Sequence, residues 1–179
     1  MIFYLQIYGT LEHQESGLKS KRMNDIIIRN ATIDDLEALL GFEKEIIKQE
    51  RPLDPTIRQG EIHYYDLRKL IQSNDAAVVV AVHKNSPIAS GFALIKEARS
   101  YLNHKQFAYL GFMYTKPEFR GRGINKKIVK NLYEWATSRG LSEVRLTVYE
   151  DNLMAIKAYE KAGFKKHLIE MRLVEPKDI

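Results

Sequence analysis

The 179-residue chain contains no cysteine. That excludes disulfide staples, zinc clusters built on thiolates and a cysteine nucleophile, and it is consistent with a reducing cytosol. Long apolar runs are also missing. The longest clean one, residues 76–82, is far too short to span a bilayer. The first five residues are apolar but lack a basic flank and a cleavage site, so no export signal is read there. A cytoplasmic protein without a membrane partner is expected. No internal repeat, low-complexity tract or arginine-rich tail occurs. The formal charge of +5 fits a multiply anionic small ligand as well as it fits nucleic acid. With no recognisable nucleic-acid motif, a nucleic-acid partner is not expected. No metal site is expected either. At this length a single domain can bury a sizeable core unaided.

Against those absences stands the run Pro117-Glu118-Phe119-Arg120-Gly121-Arg122-Gly123-Ile124-Asn125-Lys126-Lys127. It reads as a strand end, a glycine turn and a helix start. Alternate glycines let backbone approach a ligand without Cβ interference. A following helix aims its unpaired first-turn N–H groups and positive dipole end into the turn, which suits phosphate. Between Lys116 and Lys130 six basic residues face one acid, Glu118, which reinforces the preference for an anion. Ile124, Ile128, Val129, Leu132, Trp135 and Ala136 recur at helical spacing, and Gly140 supplies a stop. An ordinary strand–turn–helix connection would look similar, so the glycine pair alone decides little. Two better-known glycine motifs are excluded. Lys126 stands where a dinucleotide fingerprint needs its third glycine, and no G-x-x-x-x-G-K-[ST] string exists.

The six residues from Arg120 to Asn125 resemble the pyrophosphate loop Q/R-x-x-G-x-G/A of the GNAT superfamily of N-acetyltransferases. Asn125 departs from the usual Gly or Ala, though asparagine tolerates left-handed or capping geometry. A second block, from Asn152 to Phe164, is similar to the family's N-x-x-A-[IL]-x-[FL]-Y-x-x-x-G-F signature at every position except Ala158. On its own, Tyr159 would read as a core aromatic with a satisfied hydroxyl. The two signatures in order are far more specific, and the resemblance runs from about residue 25 to 173.

The expected organisation is an extension over residues 1–22, with Met23 as the genuine start, then one domain over 23–179. Thr32 should cap a helix whose inner side carries Leu36, Leu39, Leu40 and Ile47. A second helix is predicted over 64–72, strands over 26–29, 77–83, 88–96, 107–115 and 143–149, and a final strand pair over 165–169 and 170–174. Residues 84–87 read as a hairpin turn. The fold class is α/β: a GNAT-like mixed, largely antiparallel sheet flanked by helices, in the order β-α-α-β-β-β-α-β-α-β(β).

The resemblance implies acetyl-coenzyme A as co-substrate and a primary amine as acceptor, a small molecule or a protein amine. The diphosphate is expected over the amides from Arg122 to Lys126, with Arg120, Gly121, Gly123, Ile124 and Asn125 in the same cradle. Thr115 and Asn152 should bond the pantetheine arm between splayed fourth and fifth strands. Gly111, inside a strand, fits a bulge there. The Met113 amide is expected to polarise the thioester carbonyl, and Tyr159 to protonate the departing thiolate. The strand positions where relatives carry an acidic base hold Gly111 and Phe112, leaving Glu97, Tyr149, Glu150, His63, His83 and His104 as candidates by type alone. That gap keeps a non-catalytic acyl-coenzyme A sensor as the alternative reading. A homodimer is expected from family habit only.

Overall fold

Valine and alanine fill residues 76–82, a sequence suited to a strand covered on both faces. A computed structural model, which describes residues 25–173, places this run inside the sheet as β2 (Ala76–His83). β2 lies between β1 (Ile26–Asn30) and β3 (Ser86–Glu97), followed by β4 (Gln106–Thr115) and β5 (Val144–Arg145). The first four strands pair antiparallel in sequence order, and β5 joins β4 in parallel. The class is the mixed, largely antiparallel sheet that the sequence predicts.

Helices cover both faces. α1 (Leu36–Glu50) and α2 (Leu67–Gln72) seal one side, where Leu39, Phe42 and Leu67 pack on Val78, Val80, Phe92, Phe112 and Tyr114. α3 (Ile124–Ser138) seals the other, laying Ile124, Ile128, Val129 and Leu132 on Val79, Ala81, Ala89 and Leu110. Leu39 and Leu132 are completely buried, so truncating either to alanine costs about 3 kcal/mol. α4 (Leu153–Lys161) follows β5. Before α1, a short 3-10 turn is pinned by Asp35, which receives two Arg29 bonds at 2.6 and 2.9 Å and the Thr32 amide at 2.8 Å. Those donors hold the Asp35 carboxyl below its ordinary range, the Arg29 bond contributing most.

Several elements differ from the sequence expectation, each for a local reason. The hairpin turn is only Lys84 and Asn85, both with positive φ, and Ser86 and Pro87 already belong to β3. α2 starts at Leu67 because Asp66 caps it through the Lys69 amide, while the Tyr64 and Tyr65 amides are taken by Glu43. β5 is two residues long rather than seven, because β4 turns away from it at a bulge. The expected final strands do not form over 165–173, where Leu168, Ile169, Met171 and Leu173 are exposed. Residue 174 and the extension over 1–22, with its Met23 start, lie outside the described residues. Among the described residues no helix is long and apolar enough to cross a membrane.

Candidate active site

The bulge sits on the β3–β4 ladder, where the register shifts between Ser90 and Phe92. Opposite that shift Phe112 adopts φ 58°, a left-handed value rare for an aromatic residue. The Ser90 hydroxyl donates to the Phe112 carbonyl at 3.1 Å and fixes the kink inside the core. Gly91 is needed here for space: a Cβ would come within 2.5 Å of the Met113 sulfur. Gly111 has a different task from the one expected. It leaves room for the Phe92 ring, which a Cβ would meet at 2.6 Å. Beyond Tyr109 no ladder joins β4 to β5, so the two diverge just where Gly111, Phe112 and Met113 lie. Below the gap the pair is clamped. Glu143 binds Arg145 at 2.6 Å and His104 at 3.1 Å, and its carbonyl accepts from Ala108 at 3.0 Å.

β4 ends at Thr115, and a short turn leads into the glycine loop. Gly121 and Gly123 have φ of 73° and 72°, and a Cβ on either would meet nothing within 4 Å. Glycine is therefore required by conformation, and the space above the loop stays open. Gly123 is the N-cap of α3. Among the described residues no protein acceptor meets the amides from Gly121 to Lys126; the next, Lys127, bonds the Gly123 carbonyl at 3.3 Å. The loop's basic side chains brace it. Arg120 donates to the Thr115 carbonyl at 3.0 Å and to Gln49 at 3.3 Å, and Arg122 donates to the Glu118 carbonyl at 2.8 Å. The Arg120 amide closes the turn onto Pro117, so this residue positions the loop rather than adding an amide to it. Asn125 is simply the second helical residue; neither left-handed nor capping geometry is asked of it.

Asn152 caps α4 by accepting from the Ala155 amide at 3.2 Å, which leaves its NH2 group as the available donor. Two turns along, Tyr159 is half-buried, its ring edge-on to Phe164 at 5.9 Å. Burial, assisted by the nearby Glu50 carboxylate, pushes the Tyr159 hydroxyl up to about 12. Tyr159 therefore stays protonated throughout the physiological range.

The candidate bases by type are occupied elsewhere or exposed. His63 contacts the fully buried Glu43 through Nδ1 at 2.7 Å, His83 packs on Phe119, and Glu97 accepts from Gln106 at 2.7 Å. His104 belongs to the β4–β5 clamp, the Tyr149 hydroxyl donates to Asp54 at 3.3 Å, and Glu150 is exposed. Sequence reasoning did not disclose the side-chain bonds that organise the 49–65 link. Glu43 accepts the Tyr64 and Tyr65 amides, each at 2.9 Å, and so hangs both tyrosines beside Glu50, the last residue of α1. Asp54 gathers Thr56 at 2.6 Å, Arg172 at 3.2 Å and Tyr149, fixing the far side, and the Thr56 and Arg172 bonds hold its carboxyl well below the usual range.

The family model described as the Acetyltransferase (GNAT) family matches residues 42–164. The chain belongs to the GNAT acetyltransferase family. A thialysine N-ε-acetyltransferase of Bos taurus is 44% identical over 55 residues, which is 31% of this chain and 32% of that protein. The match therefore spans about a third of that relative. An aminoglycoside N(6′)-acetyltransferase of Salmonella typhimurium is 24% identical over 109 residues, covering 59% of this chain and 74% of the other. Among solved structures, a predicted acetyltransferase of Clostridium acetobutylicum crystallised with acetyl-CoA superposes with a TM-score of 0.64 at 21% identity, covering 85% of this chain and 99% of that one. This last likeness establishes the GNAT fold. Among the described residues no cluster of three or more His, Asp or Glu side chains is placed to hold a metal.

Proposed function

We propose that this GNAT-family chain transfers the acetyl group of acetyl-coenzyme A to a primary amine by direct attack. The observation that carries the reading is the row of amides from Gly121 to Lys126, unclaimed by protein at the start of a helix and beside two glycines with open space around them. A diphosphate supplies the acceptors this row lacks. The strand gap beyond Tyr109 would take the pantetheine arm, with the Thr115 backbone and the Asn152 NH2 as donors. Acetyl-coenzyme A supplies an activated thioester acyl group. The Met113 amide, carried by the bulge, stabilises charge on the carbonyl oxygen, and the Tyr159 hydroxyl bonds the departing sulfur. The N-acetylating activities named for the bovine and Salmonella relatives support an amine as acceptor.

A sensor that binds the coenzyme without turnover is the second reading, and the presence of Tyr159 speaks against it. Thiol release measured against a panel of alkylamines, aminoglycosides, amino acids and peptides separates the two. Acetylated product identified by mass is the expected result. Coenzyme binding by titration with no product from any amine would establish the sensor.

A further inference from the structure

Three consecutive residues of β3, Ser90, Gly91 and Phe92, face the bulge of β4, and each meets it differently. The Ser90 hydroxyl, completely buried, donates to the Phe112 carbonyl at 3.1 Å. Burying a hydroxyl between valine- and alanine-rich strands costs free energy, which this bond offsets. Gly91 leaves its space to the Met113 thioether, and Phe92 fills the space that Gly111 leaves. The Phe112 ring packs on the α1 side of the sheet, edge-on to Tyr65 at 5.9 Å, while the Met113 side chain packs on the α3 side. The peptide joining Phe112 to Met113 is therefore held at its carbonyl and by one side chain on each face. That same peptide carries the Met113 N–H. A planar trans peptide sends its N–H opposite to its C=O, so Ser90, by taking the carbonyl, turns the N–H away from itself. Neither Phe112 nor Met113 has a ladder partner on β3, and β5 pairs with β4 only at Ala108 and Tyr109.

Resting on the acetyl-transfer reading, we propose that Ser90 is a positioning residue for that reaction: its hydroxyl sets the direction of the Met113 N–H and strengthens it as donor to the thioester oxygen. Two effects act through the one bond. The first is orientation, because the hydroxyl anchors a peptide whose Phe112 end sits at a left-handed φ of 58°. The second is polarisation. A donor on the peptide oxygen draws electron density from its nitrogen, so the N–H makes a stronger bond in turn. Both effects grow as negative charge develops on the thioester oxygen, and so favour the transition state over the bound ground state. Being completely buried, Ser90 acts through the peptide rather than on either substrate. Its removal should therefore be felt in turnover and not in binding.

The test compares wild-type chain with Ser90→Ala and Ser90→Cys, the second close in size but a weaker donor. The substrates are acetyl-coenzyme A and the fastest acceptor among n-propylamine, spermidine, N-α-acetyl-lysine and kanamycin. Ser90→Ala is expected to lose about tenfold in kcat and Ser90→Cys less, with coenzyme affinity and both KM values unchanged. A second readout needs no acceptor. The chain has only five methionines, so 15N-methionine labelling gives a sparse amide spectrum. Acetyl-coenzyme A should move the Met113 amide proton downfield as it meets the carbonyl oxygen, and move it less in Ser90→Ala. An equal shift in the two proteins overturns the inference. So does a folded Ala variant with wild-type kcat, or one whose kcat falls only in step with coenzyme affinity; each leaves the acetyl-transfer reading standing. Where Ser90→Ala does not fold, Ser90→Cys at the wild-type kcat overturns it equally. Coenzyme bound by wild type with no panel amine acetylated overturns both.

Discussion

The loop over residues 120–126 is organised by its backbone, whereas the wall built on Glu43 and Asp54 is organised by side chains. In the loop, Gly121 and Gly123 hold left-handed backbone and six amides have no protein acceptor among the described residues, so side-chain identity matters little beyond those two positions. In the wall, the arrangement depends on side-chain bonds: Glu43 holds the Tyr64 and Tyr65 amides, and Asp54 gathers Thr56, Tyr149 and Arg172. Backbone recognition suits a donor whose diphosphate is the same in every turnover. Side-chain recognition suits an acceptor on which relatives differ. The two halves should therefore fail separately when altered.

The largest separation is expected from Glu43→Ala. It leaves the Tyr64 and Tyr65 amides and His63 without their buried acceptor, at a cost of about 3 kcal/mol in stability. Urea unfolding reads that loss, and the fraction still folded should bind acetyl-coenzyme A normally. Tyr159→Phe should lower kcat on the order of 100-fold with no change in coenzyme affinity, as measured by titration and steady-state rates. Because the donor form of Tyr159 is lost only as pH rises through about 12, the wild-type rate should show no fall from this group at mildly alkaline pH. Gly123→Val acts on the other half. Forcing a β-branched residue to a left-handed φ costs about 1–2 kcal/mol, so coenzyme affinity should drop roughly tenfold with acceptor selectivity unchanged. Lys130→Ala, which removes an exposed pair with Glu134 at 3.7 Å, should change stability by under about 0.5 kcal/mol. A larger effect on coenzyme affinity than Gly123→Val would mean that charge, not amide geometry, holds the diphosphate.

The same contrast governs what the sequence disclosed. Gly121 and Gly123 are legible because left-handed backbone admits few residues, and the α3 face because burial imposes a period. The central strands are legible for a similar reason, although the β4 bulge was expected at Gly111 and lies at Phe112. β5 was overread: Val144, Leu146 and Val148 alternate, yet a strand needs a partner, and β4 leaves after Tyr109. The final strand pair over 165–173 failed likewise, because alternation does not supply a neighbour. The bonds within that wall were illegible through distance, since Asp54 meets Tyr149 and Arg172 only after folding. One signal was present. Leu36 and Glu43 share a heptad position on α1, and an acid on an apolar stripe must have internal donors. Glu43 has the donors.

The most direct test of the central claim is simultaneous measurement of thiol release and amine acetylation by the full chain with acetyl-coenzyme A and the amine panel. The account predicts one acetylated amine per thiol released, with Tyr159→Phe binding the coenzyme as wild type does while turning over far more slowly. Tight coenzyme binding with no acetylated amine from any acceptor, or Tyr159→Phe turning over at the wild-type rate, would contradict it.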